Sequence, residues 1–219
     1  MNREPDSNPK LAAMREDYRS NGLHEDDVAA DPIDQFQRWF DDALNGAVYE
    51  PNAMTLATVD GAGQPSARIV LMKMVDQRGL AFFTNFESRK GRHLAANPKA
   101  ALTFWWGPLE RQVRFEGMIG PVDAPEADAY YQSRPLGSQI GAWASPQSQM
   151  IESRAVLEKA ESDCRQKFGD DQIPRPPFWG GYRLAPIRVE FWQGRSNRLH
   201  DRLCYRQIDG GWKLERLAP

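Results

Sequence analysis

The chain has little cysteine, little histidine and few lysines. Its 219 residues include 2 cysteines, 3 histidines and 28 basic residues, of which only 7 are lysines. Cys164 and Cys204 form no C-x-x-C pair, so neither a disulfide framework nor a cysteine-based zinc site is expected. The histidines are scattered, so no metal site of any other kind is expected. Free cysteines favour a reducing compartment, and we expect a cytoplasmic protein.

Long apolar runs and an excess of basic charge are also missing. No stretch approaches the roughly 18 apolar residues of a transmembrane helix, and the polar start MNREPDSNPK predicts no secretory signal. We therefore expect no membrane partner. A net charge of −2 and a pI near 6.0 argue against a nucleic-acid partner. Trp105 and Trp106 could stack on bases, but their apolar strand favours packing in the core.

The length and composition indicate one domain with an appendage. Residues 1–30 are rich in Asp, Asn, Ser, Gly and Pro and are predicted to be a flexible N-terminal arm, whereas residues 31–219 are predicted to be a single domain. Asp31 followed by Pro32 marks the first firm helix. The predicted buried stripe of this helix consists of Phe36, Trp39, Phe40 and Leu44.

Short strand patterns dominate the remaining sequence. Strands are predicted at 53–59, 66–75, 80–84, 100–106, 112–119, 188–192, 198–207 and 212–216. Helices are predicted at 88–96, 125–133 and 152–168. Because the chain lacks regular βα alternation, it predicts an α+β fold, mainly β, with a β-barrel and peripheral helices.

Two segments place cations where an anion would compensate them. In ESRKG at 87–91, Ser88 is a candidate N-cap, and Arg89 and Lys90 in the first helical turn oppose the helix dipole. A bound anion would turn that cost into attraction, although a solvated pair of surface charges is the alternative. In RIVLMK at 68–73, four apolar residues separate Arg68 from Lys73, which could instead simply cap the strand ends.

Two further segments repeat donor side chains. Tyr130, Arg134 and Ser138 recur every four residues and could converge on a phosphate, although an exposed helix end is the alternative. In RLHDR at 198–202, period two places Arg198, His200 and Arg202 on one strand face. Three such groups on a barrel face need an anionic partner, although a structural histidine is the alternative.

Familiar nucleotide and hydrolase motifs are missing. The chain has neither a G-x-x-x-x-G-K-[ST] loop nor a G-x-S-x-G elbow, and its G-A-G at 61–63 lacks the spacing of a dinucleotide fingerprint.

Eight motifs, in order, resemble the pyridoxamine/pyridoxine 5′-phosphate oxidase family. The likeness runs from about residue 11 to the end of the sequence. The motifs are RIVLMK at 68–73, FTNFESRK at 83–90, ERQV at 110–113, SRP at 133–135, SQIGAW at 138–143, FWGG at 178–181, EFWQG at 190–194 and RLHDR at 198–202.

This resemblance implies an FMN-binding split β-barrel and a homodimer with FMN in the subunit interface. It implies oxidation of pyridoxamine 5′-phosphate and pyridoxine 5′-phosphate to pyridoxal 5′-phosphate. In this reaction a hydride passes to the flavin, and dioxygen reoxidises the flavin and gives hydrogen peroxide.

The resemblance also implies roles for individual residues. It assigns catalysis to Arg198 and His200. It assigns FMN contacts to Arg68, Ile69, Val70, Leu71, Met72, Lys73, Phe83, Thr84, Arg89, Lys90, Gln112, Gln147, Ser148, Trp192 and Arg202. It assigns substrate contacts to Arg15, Tyr18, Lys73, Tyr130, Arg134, Ser138, Arg198, Leu199 and His200, with Arg15 and Tyr18 on the arm that closes over the site.

Two other functions remain open. One is a related split-barrel flavin oxidoreductase with a different substrate, against which the four candidate phosphate ligands Lys73, Tyr130, Arg134 and Ser138 argue. The other is a non-enzymatic carrier of FMN or pyridoxal phosphate.

Overall fold

The computed structural model describes Tyr18, residues 22–169 and residues 172–219, so the predicted site residue Arg15 lies outside the described residues. The strands of this part, numbered in chain order, are Ala53–Val59 (β1), Pro65–Leu71 (β2), Met74–Asp76 (β3), Gly79–Asn85 (β4), Lys99–Trp106 (β5), Arg111–Pro121 (β6), Trp179–Gln193 (β7), Asp201–Ile208 (β8) and Gly211–Arg216 (β9). Its α-helices are Pro32–Asn45 (α1), Arg89–Ala96 (α2), Ala124–Gln132 (α3), Leu136–Ala144 (α4) and Arg154–Phe168 (α5). None of these helices is long and apolar enough to cross a membrane.

One curled antiparallel sheet organises the molecule. Its strand order is β2-β1-β5-β6-β7-β4-β3, with β8 joined to β7 and β9 joined to β8. Strand β7 is 15 residues long and pairs with three strands. It has β6 along one edge, and on the other edge it has β4 for its first half and β8 for its second. The predicted mainly-β architecture with peripheral helices is confirmed.

Helix α1 closes one side of the sheet over the main core. Asp31 caps the helix by accepting a 2.7 Å hydrogen bond from the Ile33 N–H. Phe36 is fully buried, with its ring centroid 5.0 Å from that of Phe104. The predicted burial of Leu44 is wrong, since this side chain is 55% exposed. Ala43, four residues after Trp39, takes the buried position in the last turn.

The sheet departs from the predicted strands in two places. The strand predicted at 66–75 breaks at Met72 and Lys73, where the chain leaves β1 for β4, and the Lys73 N–H bonds to the Ala81 carbonyl. The strand predicted at 188–192 begins at Trp179 instead. Gly180 and Gly181 made the first half of β7 look unlike a strand in the sequence. Glycine is required at position 180 because a Cβ there would lie 2.5 Å from the Phe86 ring.

The segment before β8 folds into a loop rather than a strand. Asn197 and Arg198 have positive φ angles of 55° and 62°, a left-handed conformation that no strand adopts. The loop closes where the Arg195 N–H donates to His200 Nδ1 at 3.1 Å. The prediction that Arg198, His200 and Arg202 share one strand face is therefore wrong, because only Arg202 lies in a strand.

The tandem tryptophans divide between the two faces of β5. Trp106 is 1% exposed, which confirms its predicted place in the core. Trp105 is 53% exposed, so the same prediction is wrong for it. Successive side chains of a strand point to opposite faces, and the run of apolar residues hid this alternation.

Helices α3 and α4 enclose a second, smaller core. It is built from Tyr131, Ile140, Ile173 and Trp179. The sequence did not predict α4, which follows α3 after only three residues, at 133–135. This second core brings Trp179, the first residue of β7, beside the end of α3.

Part of the predicted arm packs on the domain. Leu23 is 5% exposed, and the Tyr205 hydroxyl donates a 2.6 Å hydrogen bond to the Ala29 carbonyl. The division of the chain at residue 30 stays a prediction.

Strand β6 contains a matched pair of glycines that tests this packing. A Cβ on Gly117, beside the register shift between β6 and β7, would lie 2.1 Å from the Ala185 carbonyl oxygen. We expect Gly117→Ala to destabilise the fold by about 2–4 kcal/mol because backbone must move. Gly120→Ala, with no atom within 4 Å of the added Cβ, is the control and should cost less than about 1 kcal/mol. Equal melting temperatures for the two variants would contradict this register.

Candidate functional site

A cleft of about 320 Å³ opens beside β2, β4 and the start of α2. It gathers residues that are far apart in the sequence, including Trp179 of the FWGG motif and Gln147, which lies in none of the eight motifs. The lining residues are Ile69, Val70, Leu71, Lys73, Phe83, Thr84, Lys90, Tyr130, Arg134, Gln147 and Trp179. We call this set, together with Arg68 and Arg89, the cleft cluster.

Lys90 is held at the cleft by neutral oxygens. Its Nζ donates to Gln147 Oε1 at 2.8 Å and to Thr84 Oγ1 at 3.0 Å, and the Thr84 hydroxyl donates to the same Gln147 oxygen at 3.0 Å. Burial lowers the pKa of Lys90, and the charge of Arg68 lowers it further. These contacts fix the ammonium without neutralising it.

Arg68 and Arg89 add two more cations to the same end of the cleft. The Arg68 guanidinium donates to the Leu56 carbonyl, the Thr58 hydroxyl and the Ser66 hydroxyl at 2.8–2.9 Å. Burial, followed by the charge of Arg89, lowers the pKa of Arg68. Arg89 is exposed at the start of α2, where Ser88 Oγ caps the helix by accepting from the Gly91 N–H.

The missing counter-charge characterises this cluster. Among the described residues, no carboxylate lies within 4 Å of the cationic atoms of Arg68, Lys73, Arg89, Lys90 or Arg134, although many other arginines form ion pairs. Several like charges at one cleft are costly without an anion. The site therefore suits a ligand that carries phosphate or a similar anion.

Arg134 lines the same cleft and has an unusual environment. Its guanidinium stacks on Trp179, 4.7 Å from the ring centroid, and burial lowers its pKa. Its NH1 is buried and has no hydrogen-bond partner among the described residues. Leaving such a donor unpaired costs about 1–3 kcal/mol, which a ligand oxygen would recover.

Tyr130 lies beside Arg134, whereas Ser138 faces a neighbouring pocket. The Tyr130 ring stacks on Phe83 with centroids 3.9 Å apart, and burial raises the pKa of its phenol. Ser138 lines a pocket of about 210 Å³ that shares Arg134, Gln147 and Trp179 with the cleft.

Three predicted FMN residues differ in burial and in their position relative to the cleft. Met72 is 6% exposed and packs in the main core, so only its backbone faces the break after β2. Ser148 is exposed next to Gln147 and has a positive φ of 70°. Lys73 is exposed and lines the cleft.

The other predicted residues form a second cluster at the far end of the sheet. Gln112, Trp192 and Arg202 are direct cross-strand neighbours on β6, β7 and β8, so their side chains share one face. His200 lies 4.6 Å from Trp192 between ring centroids, and Tyr18 lies 5.6 Å from His200. We call these residues, with Arg198 and Leu199, the loop cluster.

Arg202 differs from the cations of the cleft because it has a counter-charge. Its guanidinium makes a two-pronged ion pair with the buried Glu190 carboxylate, at 2.9 and 3.1 Å, and donates to the Ala218 carbonyl. The Glu190 carboxylate therefore neutralises much of the charge of Arg202 within the chain.

The Asp201 carboxylate, next to the loop cluster, joins β8 to Leu23 and to Arg216 on β9. One carboxylate oxygen accepts from the Leu23 N–H at 3.0 Å and the other from Arg216 at 2.7 Å. Arg216 in turn holds both carboxylate oxygens of Glu25 at 2.7 Å. No local pattern predicts the contact of Leu23 with Asp201, because the two residues are 178 positions apart.

The state of His200 follows from its two neighbours. Its Nδ1 accepts from the Arg195 N–H, so the neutral ring carries its proton on Nε2. Burial lowers the pKa of His200 below 6.5, and the charge of Arg198 lowers it further. We therefore expect a neutral imidazole at pH 7, with Nε2–H as a donor.

The cleft and loop clusters do not meet within one chain. Trp179 begins β7 in the cleft cluster, and Trp192 stands thirteen positions later in the loop cluster. At about 3.3 Å per residue, roughly 40 Å of strand separates them. Among the described residues, no hydrogen bond, ion pair or ring contact joins the two clusters.

Two family models match the chain. The model described as pyridoxamine 5′-phosphate oxidase matches residues 40–168, and the model described as the pyridoxine 5′-phosphate oxidase C-terminal dimerisation region matches residues 179–219.

Curated relatives match over nearly the whole chain. A pyridoxine/pyridoxamine 5′-phosphate oxidase of Cupriavidus pinatubonensis is 60% identical over 96% of this chain and 99% of the relative. A protein of the same description from Bordetella petrii is 61% identical over 95% of this chain and 99% of its own.

Two solved structures share the fold. PhzG from Burkholderia lata 383, in complex with tetrahydrophenazine-1-carboxylic acid, is 33% identical with a TM-score of 0.85, covering 91% of this chain and 98% of that one. A pyridoxamine 5′-phosphate oxidase-related, FMN binding protein from Nostoc punctiforme is 20% identical with a TM-score of 0.70, covering 88% and 100%. The likeness to the second shows the fold alone and supports the expected split barrel.

The shifted pKa of His200 gives a direct test of the loop. Titrating the imidazole signals by NMR should give His200 a pKa below 6.5. Since the folded state binds the proton more weakly than the unfolded one, stability should fall as the pH drops from about 6.5 through the folded pKa. Arg198→Gln should raise the pKa of His200. The control Arg206→Gln, which lies further along on β8, should not change it. A native pKa at or above 6.5 would contradict the loop geometry.

Proposed function

Since the chain belongs to the pyridoxamine 5′-phosphate oxidase family, we propose that it oxidises pyridoxamine 5′-phosphate and pyridoxine 5′-phosphate to pyridoxal 5′-phosphate with FMN as cofactor. It is an oxidoreductase of that family. The observation that carries the substrate assignment is Arg134, whose buried NH1 has no hydrogen-bond partner among the described residues.

The residues at the start of α2 fit the phosphate of FMN. Arg68, Arg89 and Lys90 present three cations and the free N–H groups of a helix N-terminus, and neutral acceptors hold Arg68 and Lys90 in place. Such a set is suited to a dianionic phosphate. The backbone of 69–71 and the Phe83-Thr84 pair line the cleft beside it and would contact the flavin ring. When bound, FMN supplies the two-electron acceptor that no amino-acid side chain provides.

The deeper donors fit the phosphate of the substrate. Arg134 offers its unpaired NH1, Lys73 offers an exposed ammonium, and Tyr130 offers a phenol whose raised pKa keeps its proton. Ser138 borders the same position from the neighbouring pocket. Fixing both phosphates would hold the two rings against each other, and placement of this kind contributes several kcal/mol to rate.

The remaining residues would come from a second copy of the chain. The region 179–219, which matches a dimerisation region, contains Trp192, Arg198, His200 and Arg202. Because the loop cluster lies at the other end of β7, we propose a homodimer in which the cleft of one protomer is completed by the loop of its partner. FMN then lies at the subunit interface, with Gln112, Trp192 and Arg202 contacting it.

In this arrangement the loop orients the substrate. The neutral His200 would donate from Nε2 to the substrate ring or its oxyanion, and Arg198 would cover the outer ring face. Tyr18 packs against His200 and would exclude water.

The overall chemistry balances with dioxygen as the final acceptor. The amine, dioxygen and water give the aldehyde, ammonia and hydrogen peroxide, and the alcohol and dioxygen give the aldehyde and hydrogen peroxide. Cys164 and Cys204 are both free thiols, which supports our placing the reaction in the cytoplasm.

The likeness to PhzG favours a second candidate. That protein was solved with a tetrahydrophenazine carboxylic acid, so a related flavin oxidoreductase acting on a carboxylated ring is an alternative. Three cationic or phenolic donors in one place suit a phosphate better than a monoanionic carboxylate, which favours the first proposal.

A spectral titration separates these functions. The purified protein with FMN should be yellow, and pyridoxamine 5′-phosphate added without air should bleach it. Air should then restore the colour with release of hydrogen peroxide. Protein that stays yellow would favour a carrier. Bleaching by tetrahydrophenazine-1-carboxylic acid alone would favour the second candidate.

Arg134 gives a test of the substrate phosphate site. Arg134→Gln should raise KM for pyridoxamine 5′-phosphate about 10- to 100-fold, because a charge-assisted hydrogen bond of about 1.5–3 kcal/mol is lost. The FMN dissociation constant should stay the same. Arg154→Gln, which removes an exposed ion pair on α5, is the control and should change neither value. A parallel loss of FMN would contradict the division between the two phosphates.

A further inference from the structure

Two buried polar side chains behind the cleft have no part in the proposed contacts. Thr58 on β1 is 1% exposed, and His93 on α2 is 7% exposed. Their side chains meet, with Thr58 Oγ1 3.2 Å from His93 Nδ1. Polar groups buried this deeply are retained only where hydrogen bonds satisfy them, so their partners indicate what they do.

The contact between Thr58 and Arg68 has a defined direction. A guanidinium can only donate, so the Thr58 oxygen accepts from Arg68 NH1 at 2.8 Å. The hydroxyl proton is then free to donate, and His93 Nδ1 at 3.2 Å is a closer acceptor than the Ser66 carbonyl at 3.5 Å. The chain of hydrogen bonds therefore runs from Arg68 through Thr58 to His93.

This chain of bonds orients Arg68 and leaves its charge available. The Leu56 carbonyl and the Thr58 hydroxyl use both N–H groups of NH1, and the Ser66 hydroxyl uses one of NH2. All three acceptors are neutral. Of the five N–H groups of the guanidinium, the one on Nε and the second on NH2 have no partner among the described residues.

His93 also ties this arrangement to the helix that carries the other cations. It lies on α2, three residues after Lys90 and four after Arg89, and thus on the same side of the helix as both. The Thr58 hydroxyl consequently joins β1, β2 and α2 at one atom. A change at Thr58 would therefore disturb Arg68, the cation that its hydroxyl contacts directly.

We propose that Thr58 and His93 are positioning residues that hold Arg68 ready for the phosphate of FMN. The inference rests on the proposed function, since it assumes that this phosphate binds at Arg68. An arginine ordered before binding loses less side-chain entropy when the ligand arrives, and this gain appears as affinity for FMN.

The test measures binding of FMN to the apoprotein by quenching of flavin fluorescence. Thr58→Val keeps the side-chain shape but removes the hydroxyl, and we expect it to weaken FMN binding about 10-fold. Thr58→Ser restores the hydroxyl and should restore binding to within about 2-fold of the wild type. Thr103→Val on β5 is the matched control and should leave binding unchanged. Circular dichroism and melting temperature establish that each variant is folded.

A double-mutant cycle shows whether Thr58 acts through Arg68. In an Arg68→Met background, Thr58→Val should change FMN affinity less than about 2-fold, because the group that it positions is gone. His93→Leu should resemble Thr58→Val, whereas His93→Asn, which offers an acceptor near the Nδ1 position, should recover part of the affinity.

The outcomes separate this inference from the proposed function. A wild-type apoprotein that binds no FMN would overturn both. Tight wild-type binding that Thr58→Val leaves unchanged, or weakens equally in the Arg68→Met background, would overturn the positioning role alone.

Discussion

The length of one strand sets the plan of the site. Strand β7 begins in the cleft with Trp179 and ends in the loop cluster with Trp192, and it pairs with β4, β6 and β8 on the way. A continuous strand cannot bring its own ends together, so each chain presents two separate sets of functional residues. The proposed catalysis depends on how these sets are joined, and in the proposed symmetric dimer each cleft would receive the partner's loop.

Charge separates the two sets as clearly as distance does. The cleft cations Arg68 and Lys90 are held by hydroxyl, amide and carbonyl oxygens, whereas Arg202 in the loop cluster is paired with the buried Glu190. Uncompensated cations are costly in the free protein and bind anions strongly. The cleft cations therefore suit the two proposed phosphates, one of FMN and one of the substrate. A paired arginine instead contributes shape and a fixed direction of hydrogen bonding.

Local signals predicted much of the fold and the cleft. The capped start of α1, the strand β1, and the cations at the start of α2 follow from short-range chemistry, and the structure places them as expected. The first half of β7, the left-handed backbone at Asn197 and Arg198, and the contact of Asp201 with Leu23 could not be predicted. They depend on packing and on partners distant in sequence.

The candidate site shows the same division. Arg68, Lys90, Tyr130 and Arg134 do come together at one cleft. Periodicity failed for Arg198 and His200, because a loop closed by a hydrogen bond replaces the expected strand. The supporting groups Thr58 and His93 carry no motif of their own and become visible only through their contacts.

Subunit complementation tests the shared site most directly. Chains carrying Arg134→Ala and chains carrying Arg198→Ala would be co-expressed with different tags, and the heterodimer would be isolated through both tags. We expect each homodimer to have a kcat/KM far below that of the wild type, whereas the heterodimer contains one intact site and recovers about half of the wild-type kcat/KM per dimer. Heterodimer activity no higher than that of the parent homodimers would show that each site lies within one chain and would contradict the account.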